Sequence, residues 1–479
     1  IETGRGTMES ALRRERKCLC RVIFGIAKEP SILVVRPGKD FTRNRLLHLE
    51  TVMSTLVSMG GQSLGKELYL QKNGDLENAR PYPPVCDNVE SPSGSVPGVI
   101  PPLQQRMPGY ESICWVRLLA VDDSDVNIAK NPDSDTYMGN GEGGFNQFHV
   151  NALYDILNHT YLDAIVEPKT KYNEQRAAGA MRKSSAPKKA ILLADRGYGG
   201  FNLFETLHRN GTDYLRLVKN DFCREIVVLP MKDFDTVIHI EIWTTQTNLD
   251  KADGEVSEYP LLSGISKYGK DKVSTTWGDG SPCKMSLRVD GSKSQKIPMD
   301  EHHIPATGIV SGGPEQIPVS PALVIETSFR NLKYTIGLTN FRARKEGFIL
   351  QEIYARLTMY NLAEQVVNAL IVHQDGNRKF AYKVAFSDAS FIIRDYLKSY
   401  GQPDAVTVEA RILQHVIQSD LAGQMNPKSV AAFYIVSLKD WVPPGLICVQ
   451  KISSGDRKRP GPSDMTWSLI FMPERASLI

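Results

Sequence analysis

The sequence predicts a mixed α/β fold, and three observations carry that prediction. Between Cys114 and Val218 the apolar runs fall in the order strand, strand, strand, strand, helix, strand. From residue 226 to 317 the pattern changes to a period of two broken by Gly-, Ser- and Lys-rich turns, which predicts a β-rich insertion. Helical spacing then returns at Ile325 to Tyr334 and at Ile349, Ile353, Leu357 and Tyr360. The 479 residues, 41% apolar and 23% charged, have a globular composition with room for a buried core. These shifts place an N-terminal helical region and linker at 1–105, the first part of an α/β core at 106–225 and the insertion at 226–317. The second part of the core follows at 318–400, and a C-terminal region spans 401–479.

Taken in order, residues 41–70 carry Leu47, Val52, Leu56 and Val57 at mostly helical spacing, and Gly60-Gly61 stops the helix. Residues 79–102, rich in Pro, Gly and Ser, break both periods and read as a linker. Cys114 to Val121 (CWVRLLAV) predicts a buried strand running into an acidic turn, Asp122-Asp123-Ser124-Asp125. After a polar loop at 130–144, FHVNALYDI and YLDAIVEP predict two strands joined by a short hairpin connection at Leu157 to Thr160. Ala190 to Ala194 is a fourth strand, ending at Asp195 with Arg196 to Gly200 as its turn. A helix from Asn202 to Arg209 and a strand from Tyr214 to Val218 follow. Within the insertion, IVVLP and VIHIEIW are strand candidates. Beyond residue 401 lie a helix candidate near Thr407 to Asp420 and a basic patch, Lys451 to Arg459.

Composition removes several function classes. Fifty-seven Lys and Arg against 54 Asp and Glu leave a net charge of +3, so any basic surface for nucleic acid must be local. Seven scattered cysteines give no disulfide framework and fit a reducing compartment, and Cys18 and Cys20 lack the partners that would close a zinc tetrahedron. Around residues 12–27 basic residues flank an apolar stretch, but Arg21 leaves only Val22 to Ala27 uninterrupted. That is too short for a signal or a membrane span, and the chain reads as soluble and cytoplasmic.

Asp122 and Asp195 both follow apolar strands, and Glu326 opens a helix on which Phe329, Arg330 and Lys333 lie on nearby faces. Three carboxylates from two strand ends and one helix suit two magnesium ions, which take hard oxygen ligands and leave room for a phosphate between ions roughly 3.5 to 4 Å apart. The plainer reading makes the two Asp residues turn formers and the Glu a solvated helix residue. Three other features read as structural. Gly139 to Gly144 satisfies GxGxxG but precedes a strand, the reverse of a dinucleotide fingerprint. Asp300-Glu301-His302-His303 sits among turn residues, and Trp243, which could stack a flipped base, more simply packs across strands.

The blocks AVDDSDVNIAKNPD, FNQFHVNALYDILNHTYLDAIVEP, ILLADRGYGGFNLFETL and IETSFRNLKYTIGLTNFRARKEGFILQEIYARLTMYN resemble the DDE transposases of the insertion sequence 4 family. The match covers roughly residues 41–66, 114–220 and 324–400. That resemblance implies an RNase H-like mixed sheet with flanking helices, interrupted before its last helix by a β-rich insertion, and an N-terminal helical DNA-binding region. It implies metal-dependent cleavage and strand transfer at the ends of the protein's own element, with Mg2+ as cofactor and Mn2+ as substitute. The implied partners are double-stranded DNA, both terminal inverted repeats and target, and a second copy of the chain, in a bacterial cytoplasm at the nucleoid. The family's two Asp and one Glu fall on Asp122, Asp195 and Glu326. Asp123 stands where the family has Gly or a hydroxyl residue, so Asp122, Asp123 and Asp125 compete for the first ligand position. The family's Tyr-x2-Arg-x3-Glu-x6-Lys motif keeps Glu326 and Lys333, whereas Val319 and Ala322 replace the Tyr and Arg expected to bind phosphate. Two competing readings remain, an inactive element-derived DNA-binding protein and a general RNase H-like nuclease. Arg330, Lys333, Arg342, Arg344 and Lys345 are the DNA-binding candidates, with a second basic run at Arg13, Arg14, Arg16 and Lys17.

Overall fold

The computed structural model describes residues 10–28, 49–60, 67, 117–139, 143–185, 190–194, 198, 200–219, 223–228, 234–241, 243–245, 272–274, 284–291, 303–307, 320–372, 382–399, 403–418, 446–448 and 469–471. The chain forms two units, one of residues 1–110, 122–173 and 324–424, the other of residues 111–121, 174–323 and 425–479. Both contribute to a mixed α/β architecture of sheet and flanking helices. Among the described residues no helix is long and apolar enough to cross a membrane.

The first unit joins strands to a helical layer. Strand β1 (Arg117–Ile128) enters it at Asp122, beside β3 (Phe145–Asp155), which pairs antiparallel with β2 (Tyr137–Met138) and with β4 (Thr160–Pro168). The acidic stretch predicted as a turn is therefore strand. Ladder pairing overrides the turn preference of Asp and Ser, a context effect common in sheets. The β3–β4 connection is the expected short hairpin, with His159 at φ +53° in the left-handed region. The glycine-rich segment needs one of its glycines for space, because a Cβ on Gly144 would fall 1.9 Å from the Tyr137 hydroxyl.

Helices α1 (Ala11–Lys28) and α2 (Leu49–Ser58) belong to the same unit. The first was not anticipated, although Leu12, Glu15, Leu19, Val22 and Ile23 form one buried stripe at helical spacing. Gly60 follows α2 as expected and donates its N–H to Glu67 at 2.8 Å. The second half of the unit begins in α6, after three helices of the other unit: α3 (Glu174–Ser185), α4 (Phe201–Arg209) and α5 (Arg224–Val227). Helix α6 (Ser320–Arg330) continues into a π-helical turn, Asn331–Ile336, closed by Gly337 at φ +92°. Helix α7 (Glu346–Ala369) follows, buried almost all round through Ile349, Ile353, Leu357, Tyr360 and Val366, as a central helix must be. It packs against α1, α2 and β4. Asn361 on α7 accepts from the Tyr161 N–H and donates to the Tyr161 carbonyl, both at 2.8 Å, beside the register shift in the β3–β4 ladder. Strand β12 (Tyr382–Val384), helix α8 (Phe386–Lys398), helix α9 (Ala405–Ile412) and strand β13 (Val416–Gln418) complete it. The helix predicted near Thr407 to Asp420 thus stops at Ile412, and Val416–Gln418 pairs with β12.

Buried charge ties the helices together. Arg356, 1% exposed, donates to the Met59 carbonyl, and Glu67, equally buried, pairs with Lys398. Burial lowers the Arg356 pKa against the pull of Glu352 and Glu67. Arg394 donates to the Ile336 carbonyl at 3.2 Å, and burial, with Arg356 adding to it, pushes its pKa down to about 10. A second buried network runs from Tyr154 to Tyr360 at 3.2 Å, and Tyr360 donates to Glu364 at 3.0 Å.

In the second unit the N-terminal part of β1 pairs parallel with β5 (Ala190–Ala194), and β5 pairs parallel with β6 (Asp213–Lys219). Helix α4 connects the last two, Phe204 stacking on Tyr214 with ring centroids 4.8 Å apart. Strand β11 (His303–Thr307) pairs with β6, β10 (Lys284–Gly291) with β11, and β7 (Phe234–Glu241) with β10, all antiparallel. The described residues of 226–317 are mostly strand, and the longer strands extend the ladder from β6. Its predicted first strand at Ile226 is instead helical through Val227, in α5. Separate pairs are made by β8 (Trp243–Thr245) with β9 (Lys272–Ser274), and by β14 (Leu446–Cys448) with β15 (Leu469–Phe471).

Candidate metal and nucleic-acid site

Side chains alternate along a strand, so Asp122 lies on one face of β1 and Asp123 and Asp125 on the other. On the second face the ring of His149, fully buried on β3, carries Nδ1 2.6 Å from Asp125 Oδ1 and Nε2 3.7 Å from Asp123 Oδ1. Lys169 Nζ, just past the end of β4, is 2.9 Å from the same Asp125 oxygen and 3.1 Å from His149 Nδ1. Tyr172 lies alongside, its ring centroid 4.2 Å from that of His149 and 4.1 Å from the Lys169 ammonium. Burial raises the Asp125 pKa, but hydrogen bonds from His149 and Lys169 outweigh it and hold the carboxyl below its ordinary range. Burial likewise works against the Lys169 ammonium, and Asp125 more than compensates, so its pKa is raised.

Asp122 shares its unit with Glu326. The buried Tyr161 on β4 shares a 2.7 Å hydrogen bond with Ser328 of α6, two residues beyond Glu326, and packs against Phe329. Its pKa is raised, chiefly by burial, with the Asp122 carboxylate adding to the effect. Glu326 is exposed on α6, and Arg330 is exposed at the end of that helix. Lys333 lies half-buried in the π-helical turn. Burial lowers its pKa while Asp125 and Asp123 oppose the change. Arg342, Arg344 and Lys345 form an exposed segment before α7, pinned where Glu352 accepts the backbone N–H of Arg342 at 3.1 Å and of Ala343 at 2.9 Å.

The sequence candidates thus divide. Asp122, Glu326 and Lys333 belong to one unit. Asp195 and Val319 lie outside the described residues, as do residues 300–302 and the basic patch at Lys451 to Arg459; Ala322 lies within α6. In the N-terminal basic run, Arg13 pairs with Asp404, Arg14 with Glu15, and Arg16 lies 5.6 Å from the Tyr396 ring centroid. His149 and Lys169 were not singled out from sequence, since their partner Asp125 on β1 lies 24 or more positions away, nor was Tyr172, which packs on those two side chains.

Among the described residues, one group of side chains could hold a metal. Asp123, Asp125 and His149 place one ligand atom each within 4.8 Å of one another, but their imidazole suits softer ions than Mg2+.

Residues 117–245 match the family described as the transposase DDE domain, a match that begins on β1 and includes Asp122 and Asp195. No curated protein matches the chain. Among solved structures, a cryo-EM synaptic complex of piggyBac transposase with hairpin DNA aligns over 85% of this chain and 85% of that one, at 9% identity and a TM-score of 0.40.

Proposed function

We propose that the chain is a DDE transposase of the insertion sequence 4 type, which cleaves and rejoins DNA at the inverted repeats of its own element by cut-and-paste transfer. The observation that carries this reading is the transposase-domain match across residues 117–245, which begins on the strand of Asp122. An antiparallel β3–β4 hairpin beside β1, and the parallel set β1, β5, β6 with helix α4 as a crossover, support an RNase H-like core.

In this reading Asp122, Asp195 and Glu326 hold Mg2+, with Mn2+ as a substitute, and the ions supply activation of water or a 3′ hydroxyl and charge stabilisation at the leaving oxygen. The remaining work belongs to the cations. Arg330 and Lys333 flank the acidic helix and contact the phosphate nearest the cut, while Arg342, Arg344 and Lys345 hold the backbone further along. Two ends cut together call for a homodimer on the DNA.

A labelled duplex bearing the element's end, incubated with the full chain, tests the proposal. Nicking at the end that requires Mg2+ or Mn2+ supports it. Binding without nicking assigns the inactive element-derived protein, and cleavage indifferent to the end sequence assigns a general nuclease.

A further inference from the structure

On the face of β1 away from Asp122, a divalent ion would find three donors within reach, but the space already has a cation. Lys169 Nζ sits 2.9 Å from Asp125 Oδ1 and 3.1 Å from His149 Nδ1. Its position is fixed from below and from the side. The Lys169 backbone N–H donates to the Gln147 carbonyl at 3.1 Å, extending the β3–β4 ladder by one residue, and the Tyr172 ring packs against the ammonium. The histidine is engaged as well, since its Nδ1 shares a 2.6 Å hydrogen bond with the same Asp125 oxygen.

We propose that Lys169 is the resident cation of this cluster and withholds Asp123 and Asp125 from divalent metal. Ions then collect on the Asp122 face of the strand, a consequence that rests on the transposase reading, whereas the exclusion itself does not. A run of three carboxylates in four residues would otherwise bind metal on both faces and blur the placement of the catalytic pair. The ammonium neutralises one face without competing for the other.

The test counts Mn2+ ions bound to the full chain without DNA, from the free-ion electron paramagnetic resonance signal. Lys169→Met removes the charge and keeps the stem, and Lys169→Gln is a second, polar replacement. Each should bind one more Mn2+ per chain than the parent, about tenfold more tightly than any residual binding of the parent at this cluster. Asp125→Asn on the Lys169→Met background should lose the added ion, and Lys169→Arg should behave as the parent. The proposal fails if both folded variants, checked by circular dichroism, gain no ion. It fails equally if the parent itself loses an ion on Asp125→Asn, a measurement that needs no change at Lys169. Because ion counting requires no cleavage, a parent that never cuts DNA but gains an ion on Lys169→Met would refute the transposase reading and leave this one standing.

Discussion

Two charged clusters in the same unit differ in their access to water, and the difference separates charge kept for folding from charge kept for chemistry. Arg356, Glu67 and Arg394 are buried among α1, α2, α7 and α8, and their hydrogen bonds go largely to backbone carbonyls and to each other's elements. Asp123 and Asp125 on β1 are about a third exposed, and the Asp122 carboxylate beside them is also partly open. Removing charge from the first cluster strips a partner from groups that water cannot reach. Removing it from the second leaves groups that solvent can still serve.

The comparison breaks if stability and cleavage respond together. The largest effect should be Asp122→Ala, and likewise Glu326→Ala, lowering metal-dependent end cleavage by roughly a thousandfold or more while the urea midpoint and DNA affinity stay near those of the parent. Arg356→Ala should do the reverse, costing about 3 to 5 kcal/mol in urea unfolding because a fully buried side chain is truncated and the Met59 carbonyl loses its donor, with cleavage per folded molecule unchanged. If Arg356→Ala costs under about 1 kcal/mol, burial is not what distinguishes the clusters.

The next effect is a pH dependence. Burial raises the Glu364 pKa from an ordinary 4.5 to about 7, against a hydrogen bond from Tyr360. A raised folded-state pKa means that the folded chain holds its proton longer than the unfolded one. The stability it contributes is complete below pH 4.5 and is lost as pH rises through about 7, on the order of 3 kcal/mol. Urea unfolding at pH 5 and pH 8 should show this loss, and Glu364→Gln should flatten it; an unchanged slope in the variant would place the titrating group elsewhere. The smallest effect is Tyr161→Phe, which deletes the hydroxyl bonded to Ser328 and should cost about 1 kcal/mol in thermal or urea unfolding. Since Ser328 still donates to the Ile325 carbonyl at 2.7 Å, α6 should hold its place and cleavage should fall only slightly.

What the sequence disclosed follows from the range of the forces involved. AILLA at Ala190 to Ala194 was legible because a short, wholly apolar run has few alternatives to a buried strand, and the structure gives the same bounds. The Asp122 to Asp125 stretch was misread because its local preference is for a turn, while its strand state depends on neighbours far along the chain. Helix α1 escaped because Arg13, Arg14, Arg16 and Arg21 obscure a stripe whose burial depends on α2, α7 and α9. Lys169 and Tyr172 gave no signal of their own. A lysine after a strand reads as an exposed end until the partner that holds it is known.

One such distant tie governs how the chain comes to be made. Glu409 of α9 accepts both the Ser10 hydroxyl, at 2.8 Å, and the Leu12 N–H, at 2.7 Å, and so closes the first turn of α1 from 397 residues away. At a synthesis rate of roughly 5 to 20 residues per second, α1 emerges on the order of 20 to 80 s before the carboxylate that caps it. Throughout that interval Leu12, Leu19, Val22 and Ile23 have no α9 to lie against. The nascent protein therefore carries an apolar stripe covered in part, by α2, until α7 and α9 are made, and α1 is among the last elements to reach its final place.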